Sequence, residues 1–167
     1  MCIRDRGSLV FQGQAISVEV RDAPAGRREV VLHPGAVAVL VRDEGGRVLL
    51  VRQHREGVDG PLWEIPAGTI GQGEKPLAAA KRELAEETGL TAGSWRYLGL
   101  AYPTPGYSNE RTYFFRVEDV EGTPSARSEV DAVRFFTREE ILALARCGQG
   151  DGKTLAALAW LQERSGS

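Results

Sequence analysis

The sequence predicts an α+β domain in which helices pack on a mixed β-sheet. Short segments rich in β-branched residues recur along most of the chain, and turns containing glycine, proline or aspartate separate them. Residues 77–88 form an alanine-rich stretch with no glycine or proline inside it, which is typical of a helix. The length of 167 residues and the hydrophobic fraction of 42% suit one domain with a buried core.

The strands expected in the first half of the chain are short, and recognisable turns separate them. Five segments are predicted to be extended: residues 9–20 (one strand, or a hairpin that turns at Gly13), 28–32, 36–41, 48–53 and 63–66. Residues 36–41 are continuously apolar, which indicates a buried strand, and the turn at residues 43–46 predicts a hairpin. Loops are expected at residues 57–61 and in the glycine-rich stretch that runs through Gly73.

The longest predicted helix covers residues 77–88 and has signals at both ends. Pro76 falls in its first turn, where a missing N–H costs little, and Gly89 suits the position after its last residue. At about 100° per residue, one narrow stripe of this helix is apolar and is expected to face the core. The residues of this stripe are Leu77, Leu84 and Thr88, with Ala80 beside it.

The second half of the chain predicts three more strands and two more helices. The strands are expected at residues 95–101, 111–117 and 130–136. Thr137 and Glu140 form a capping-box pattern that predicts a helix over residues 138–146. A last amphipathic helix is expected over residues 153–163.

Composition and charge argue against several classes of protein. The formal net charge of −2 disfavours a general affinity for nucleic acid, which requires a basic surface. The longest apolar run, residues 36–41, is too short to cross a bilayer, and the first residues lack the apolar stretch of a secretory signal. Cys2 and Cys147 cannot form a disulfide framework. The chain is therefore expected to act in a reducing compartment, the cytoplasm, without nucleic acid or membrane partners.

An acidic cluster marks the predicted helix. Glu83, Glu86 and Glu87 span an arc of roughly 100°, and the first and last of them lie one turn apart, where like charges repel. One interpretation is a solvated helix face on which Lys81 and Arg82 offset some of the repulsion. The other is a site for a hard divalent cation, since magnesium needs only a few carboxylates in addition to substrate phosphate oxygens.

The spacing around this cluster favours the second interpretation. Nine specified positions are filled: Gly68, Glu74, Arg82, Glu83, Leu84, Glu86, Glu87, Gly89 and Leu90. At the composition of this chain, a chance match is on the order of one in a million. The pattern resembles the Nudix box, the signature of hydrolases that cleave a nucleoside diphosphate linked to another group. The resemblance implies a Nudix-type α/β/α sandwich in which the box forms a loop–helix–loop.

The resemblance also implies a metal site. Glu83 and Glu87 match the positions that hold the metal ions, and Glu86 contributes directly or through water. The backbone carbonyl of Ala67 matches a further ligand. The implied cofactor is Mg²⁺, with Mn²⁺ as a substitute.

Four other positions of the motif are expected to be structural. Arg82 and Glu74 match an ion pair that holds the loop onto the helix. Gly68 and Gly89 are expected to supply backbone freedom at the two turns of the motif.

Segments before the box resemble the ADP-ribose pyrophosphatase branch of the family. Residues 52–55 and 63–68 are similar to two short motifs of that branch. By this resemblance Arg55 contacts the diphosphate or the terminal ribose, and Glu64 contacts the substrate or a metal-bound water. The alternative for Arg55 is a surface position at a strand end.

Residues 104–110 resemble a loop of the same branch, in which a proline such as Pro105 marks specificity for ADP-ribose. Asn109 departs from the aspartate usual there. An ordinary turn rich in proline and glycine is the alternative interpretation. Three residues of the segment are expected to bind substrate: Thr104, Gly106 and Glu110.

The reaction also needs a base for the attacking water. In this branch the base is usually a carboxylate on a mobile loop before the last strand, here residues 121–131, and Glu129 is the best-placed acid. Asp131 on the same loop and Glu86 in the box are alternatives. Glu129 is also a candidate for an additional metal ligand.

The resemblance divides the chain into three parts. Residues 35–167 form the Nudix domain, and residues 9–34 form N-terminal strands that pack against a partner subunit in this branch, which implies a homodimer. Residues 1–8 are expected to be an artefactual or disordered tail, because the first six read as the translation of a sequencing adapter.

The resulting hypothesis is a magnesium-dependent hydrolase that converts ADP-ribose, or a related ADP-sugar, to AMP and a sugar phosphate. Another nucleoside diphosphate sugar and an oxidised nucleoside triphosphate remain as alternative substrates. A non-catalytic nucleotide-binding or regulatory module is the alternative from another class. Such modules tend to lose glutamates of the box, and all of them are present here.

Overall fold

The computed structural model of the chain describes residues 7–162. Residues 1–6 of the tail predicted over residues 1–8 lie outside the described part, as does Glu163 of the predicted last helix, whereas Ser8 belongs to the first strand and not to a tail. Strand, helix and 3-10 segments follow one another within that range. In chain order they are β1 (Ser8–Gln12), β2 (Ser17–Ala23), β3 (Gly26–Leu32), β4 (Ala36–Val41), β5 (Val48–Arg55), β6 (Gly60–Glu64), β7 (Ala67–Thr69), α1 (Pro76–Thr88), β8 (Thr91–Ala101), β9 (Thr112–Glu121), β10 (Ala132–Phe136), α2 (Arg138–Arg146), α3 (Gly152–Ala157) and a 3-10 helix (Leu158–Gln162).

The strands form three sheets. The central four-stranded sheet has the order β7-β4-β9-β8, in which β4 and β9 run parallel and the other neighbours are antiparallel. A second sheet has the order β10-β5-β6, and its strands are antiparallel. The strands β1, β2 and β3 form a separate antiparallel meander. The predicted mixed sheet is therefore present.

The core lies on both faces of β4, all of whose residues are buried. On one face Val37 and Val39 pack in a cluster with Leu84 of α1. On the other face Leu40 packs in a cluster with Ile141 of α2. Successive side chains of a strand point to opposite faces, so an entirely apolar strand must be covered on both sides. The predicted α/β/α sandwich is confirmed.

Most element boundaries agree with the sequence predictions to within a few residues. Residues 9–20 form the predicted hairpin, with the amide of Gly13 donating to the carbonyl of Ile16 at 2.9 Å. The capping box at Thr137 is present, with both of its hydrogen bonds to Glu140. Two predicted loops are shorter than expected, because β6 already begins at Gly60 and β7 lies within the glycine-rich stretch.

Two expectations about helices are wrong. Leu77 does not face the core and is 39% exposed, because α1 approaches the sheet through Ala79 and Ala80, which are completely buried. The last helix ends at Ala157 and continues as a 3-10 helix, in which the Trp160 ring lies 4.8 Å from the Phe114 ring. Both differences follow from tertiary packing and not from local periodicity.

Candidate active site

An ion pair fastens the loop between β7 and α1 to the helix. Arg82 donates from Nε and Nη2 to the two carboxylate oxygens of Glu74, at 3.0 and 2.9 Å. Arg82 Nη2 also donates to the carbonyl of Thr69 at 3.1 Å, and Glu74 accepts from the amide of Gly71 at 2.8 Å. These hydrogen bonds hold the pKa of Glu74 below its ordinary value and raise that of Arg82. The loop is thereby fixed relative to the acidic arc of α1.

Gly68 lies directly beneath the carboxylate of Glu83. A Cβ atom at this position would collide with the carboxyl group, so glycine lets the Glu83 carboxylate lie where it does. The expectation that Gly68 supplies backbone freedom is wrong, because it lies within β7 and has no positive φ. Gly89 does have the expected left-handed conformation, with a φ of 72° at the end of α1. The two glycines of the motif are therefore required for different physical reasons.

Glu87 is the most buried acid of α1, at 7% exposure. Its carboxylate accepts a hydrogen bond from the amide of Ala67 at 3.1 Å. Burial, together with the nearby charge of Glu83, raises the pKa of Glu87 to about 8 despite the hydrogen bond from Ala67. Burial also raises the pKa of Glu83 above its ordinary value. This arrangement favours the addition of positive charge between the two carboxylates.

Arg82 offsets part of the negative charge on α1. Its Nη1 atom donates to Glu83 at 2.7 Å and to Glu86 at 3.0 Å. The Glu86 side chain is 53% exposed, whereas that of Glu83 is only 13% exposed. A fully solvated helix face therefore describes Glu86 alone, and that interpretation is wrong for Glu83 and Glu87.

The loop before β10 brings Glu129 close to the acidic residues of α1. Gln53 on β5 donates from Nε2 to Glu129 Oε2 at 3.1 Å. The amides of Ser125 and Arg127 donate to the last carbonyls of α1, those of Thr88 and Glu87, at 2.9 and 3.2 Å. These bonds tie the position of the loop to the end of the acidic helix.

The acids of α1 and Glu129 line one cavity of about 230 Å³. Four carboxylates line it: Glu83, Glu86, Glu87 and Glu129. Ala67, Gly68 and Arg55 line it as well, whereas Asp131 does not, since its side chain is exposed and its amide donates to the carbonyl of Arg52. Of the two candidate acids on the loop, the structure brings only Glu129 to the cavity.

Arg55 and Glu64 bind each other. Arg55 donates from Nε and Nη2 to the two oxygens of Glu64, at 2.7 and 2.8 Å, and the Glu64 side chain is only 2% exposed. Arg55 also lines an adjoining cavity of about 170 Å³, together with Glu110 and Lys153. Arg55 thus lies where the two cavities meet, which excludes the interpretation of it as a plain surface position.

The segment of residues 104–110 packs against β3. Val31 donates to the carbonyl of Tyr107 at 2.7 Å and accepts from the amide of Asn109 at 3.1 Å. Asn109 also accepts from the amide of His33 at 2.7 Å through its side-chain oxygen, a bond that the usual aspartate can also make. Glu110 reaches the smaller cavity, but Thr104 and Gly106 line neither of the two.

Comparison with known proteins identifies the family of this chain. Residues 32–158 match the NUDIX domain. The chain belongs to the Nudix family. Nudix hydrolases generally require a divalent metal ion and act on nucleoside diphosphate compounds.

The chain is similar to several known proteins along most or part of its length. The ADP-ribose pyrophosphatase of Bacillus subtilis (strain 168) is 36% identical over 164 residues, which cover 92% of this chain and 88% of that protein. The methanol dehydrogenase activator of Bacillus methanolicus is 30% identical over the same shares of the two chains. The ADP-ribose pyrophosphatase of Mycobacterium tuberculosis is 42% identical over 105 residues, covering 61% of this chain and 51% of that protein.

The donor set of the larger cavity suits the divalent cation that Nudix hydrolases use. Carboxylate and carbonyl oxygens are the ligands that hard cations prefer. Within residues 7–162, no three acidic, histidine or cysteine side chains converge closely enough to hold one ion as they stand. Arg82 binds Glu83 and Glu86, and Glu87 turns to the amide of Ala67. The oxygen ligands of these residues suit a divalent cation. The side chains of Glu83, Glu86 and Glu87 must rotate to coordinate one ion together.

Sequence reasoning missed two polar residues of this Nudix site. Gln53 binds Glu129, and Lys153 lies 3.4 Å from Glu64. Gln53 belongs to a segment that resembles the ADP-ribose pyrophosphatase branch, residues 52–55, and Lys153 belongs to the predicted last helix, but neither pattern shows which acid these residues approach. In the described part of the chain, no helix is long and apolar enough to span a bilayer.

Proposed function

We propose that this Nudix chain is a magnesium-dependent hydrolase that cleaves the diphosphate of ADP-ribose to give AMP and ribose 5-phosphate. The observation that carries the proposal is the convergence of Glu83, Glu86, Glu87 and Glu129 on one cavity beside Arg55. The name of the Bacillus subtilis relative, which matches almost the whole chain, supports ADP-ribose as the substrate.

In this proposal the metal ligands are the side chains of Glu83, Glu86 and Glu87 and the carbonyl of Ala67. The raised pKa of the buried Glu87 supports this role, because its charged form gains most from a nearby cation. Mg²⁺, or Mn²⁺ as a substitute, would polarise the diphosphate and lower the pKa of a bound water. The ion pair between Arg82 and Glu74 holds the loop before α1 against the helix.

Arg55 is proposed to bind the diphosphate. Glu64 takes its Nε and one Nη2 hydrogen, so the Nη1 group is free of that pairing and can donate to phosphate oxygens. Glu110, which lines the adjoining cavity, is also proposed to bind the substrate. Thr104 and Gly106, on the loop beside β3, are also proposed to bind the substrate. Glu64 is proposed to contact the substrate or a metal-bound water.

Glu129 is the proposed general base. The water oxygen bonds to one phosphorus while the bond from that phosphorus to the bridging oxygen breaks, and Glu129 accepts the proton that the water loses. The hydrogen bond from Gln53 orients the carboxylate toward the cavity. Glu86, which lines the same cavity, is the alternative base.

Two further proposals concern the assembly and its compartment. Residues 9–34 are proposed to form a homodimer contact, since β1 is an edge strand that exposes Leu9, Val10 and Phe11 at 53%, 58% and 54%. The exposed, unpaired Cys147 suits the reducing cytoplasm.

One experiment tests the activity. Purified protein is incubated with Mg²⁺ and ADP-ribose, ADP-glucose, GDP-mannose or 8-oxo-dGTP, and the nucleotide products are measured. Release of AMP fastest from ADP-ribose supports the proposal, and preference for another of the four replaces the substrate. Hydrolysis of none of them would contradict an enzymatic role and favour a nucleotide-binding module.

A further inference from the structure

Lys153 is a cation beside the candidate site to which neither the motif nor the proposed reaction assigns a role. Its Nζ atom lies 3.4 Å from Glu64 Oε2 and 3.1 Å from Asp151 Oδ2, and its side chain is 23% exposed. It lines the smaller cavity together with Arg55. A side chain far along the sequence from the motif thus forms part of the wall next to the proposed diphosphate site.

The fold holds Lys153 in this position. The amide of Trp63 donates to the carbonyl of Gln149 at 2.8 Å, and the amide of Ile65 donates to the hydroxyl of Thr154 at 2.9 Å. These bonds fix the segment that carries Lys153 along β6, on both sides of Glu64 in the sequence. The approach of Lys153 to Glu64 therefore follows from the backbone and is not a chance contact of a flexible side chain.

Glu64 is the acid through which Lys153 can affect Arg55. Its buried carboxylate already binds Arg55 through both oxygens. In a pair isolated from solvent, the charge of Glu64 would cancel that of Arg55 and weaken the attraction of Arg55 for a phosphate. Lys153 brings a second positive charge to the same carboxylate. Arg55, Lys153, Glu64 and Asp151 together are then neutral, whereas without Lys153 they would carry one negative charge.

Asp151 is the nearer of the two acids that pair with Lys153. Its two carboxylate oxygens accept from the amides of Thr154 and Lys153, at 2.9 and 3.0 Å, so that its negative charge is shared with the first turn of α3. Burial opposes the charged form of Lys153, but Asp151 and Glu64 outweigh it and hold the pKa of Lys153 above its ordinary value. Lys153 is therefore an ammonium ion at neutral pH.

We propose that Lys153 is a positioning residue that neutralises Glu64 and thereby leaves the charge of Arg55 available to the diphosphate. Glu64 fixes the direction of the Arg55 guanidinium, and Lys153 offsets the negative charge of the Glu64 carboxylate. The proposal rests on the proposed function for the identity of the ligand. It predicts an effect on binding of the ground state and not on the chemical step.

The first test removes the charge of Lys153. Lys153→Met keeps the apolar stem and should raise KM for ADP-ribose about tenfold, while kcat stays within about threefold. Lys153→Arg, which keeps the charge, should restore most of the affinity. Lys81→Met is the matched control, because it removes one exposed lysine that lies over the Trp95 ring at 5.9 Å, and its KM should equal that of the wild type.

A second test asks whether Lys153 acts through Glu64. In a Glu64→Gln background, Lys153→Met should raise KM by clearly less than the change of about tenfold expected in the wild-type background, because only Asp151 remains to be offset. Asp151 keeps its two amide hydrogen bonds in both backgrounds, and melting curves of the single and double variants show whether a folding defect contributes. An unchanged KM in Lys153→Met, or the same change in both backgrounds, would overturn the proposal.

The outcomes distinguish this inference from the proposed function. If the wild type hydrolyses ADP-ribose and Lys153→Met has a normal KM, only the inference fails. If the wild type hydrolyses none of the four nucleotides, the proposed function fails. Calorimetric titration with inorganic pyrophosphate and Mg²⁺ then decides the inference: about tenfold weaker binding by Lys153→Met supports it, and equal binding overturns it.

Discussion

The carboxylate of Glu87 accepts a hydrogen bond from the amide of Ala67 at 3.1 Å, which joins the acidic face of α1 to the first residue of β7. The same residue of β7 supplies the carbonyl proposed as a metal ligand. This contact between a helix and a strand brings together two residues proposed as metal ligands that are 20 positions apart in the sequence.

Glu87→Gln should abolish activity without unfolding the protein. The amide keeps the shape of the side chain but is a poor metal ligand, so we expect kcat/KM to fall by more than about 100-fold, beyond the cost typical of residues that only orient ligands. Circular dichroism and steady-state kinetics measure the two effects. Glu139→Gln on the exposed face of α2 is the control, and near-normal activity of Glu87→Gln would exclude it as a metal ligand.

Without metal, the stability of the folded protein should fall as the pH rises. The folded-state pKa of Glu87 is about 8, above the ordinary value of 4.5, so the folded protein binds this proton more tightly than the unfolded chain does. The resulting stabilisation is complete below about pH 4.5 and is lost as the pH rises through 8. Melting curves in EDTA at several pH values should show this loss. Mg²⁺ should restore more stability at pH 8 than at pH 6, and Glu87→Gln should remove both trends.

Gly68→Ala should damage the site through a steric clash. The added methyl group would occupy the place of the Glu83 carboxylate, so either the side chain or β7 must move. Because this carboxyl group ends a flexible side chain, we expect a loss of only about 0.5–1.5 kcal/mol in the free energy of unfolding, together with a large fall in kcat because Glu83 is a proposed metal ligand. Gly57→Ala is the matched control, since nothing lies within 4 Å of its added Cβ, and it should be close to wild type in denaturation and kinetics.

Arg82→Lys should loosen the loop although the charge is kept. A lysine cannot bind both oxygens of Glu74 and also reach the carbonyl of Thr69. We expect a lower melting temperature and a fall in kcat of about tenfold or more, since the ion pair orients the proposed ligands. Arg138→Lys at the exposed start of α2 controls for the exchange itself. Equal kinetics for Arg82→Lys and wild type would contradict a structural role for the pair.

Glu129→Gln should slow the chemical step more than it weakens binding. Loss of a general base typically costs about 10²–10⁴-fold in rate, so kcat should fall in that range with KM nearly unchanged. Asp131→Asn on the same loop should be within about twofold of wild type, because Asp131 does not line the cavity. Full kcat in Glu129→Gln would exclude Glu129 as the base and leave Glu86 as the alternative.

Local sequence signals specify the architecture and the chemical character of the site. Alternating and continuous apolar runs marked the strands, Thr137 and Glu140 marked the start of α2, and Gly89 marked the end of α1. These signals are local, since they depend on backbone geometry within one turn or one strand. The spacing of the box likewise places three of its glutamates, Glu83, Glu86 and Glu87, along one arc of α1.

Tertiary structure alone decided which side chains meet. Gly68 is required because Glu83 lies against it, Glu129 reaches the cavity where Asp131 does not, and Lys153 approaches Glu64 from the other end of the chain. Leu77 is exposed because small alanines carry α1 against the sheet. Helical periodicity and motif spacing give direction within one element, but they contain no information about the partner that another element places opposite it.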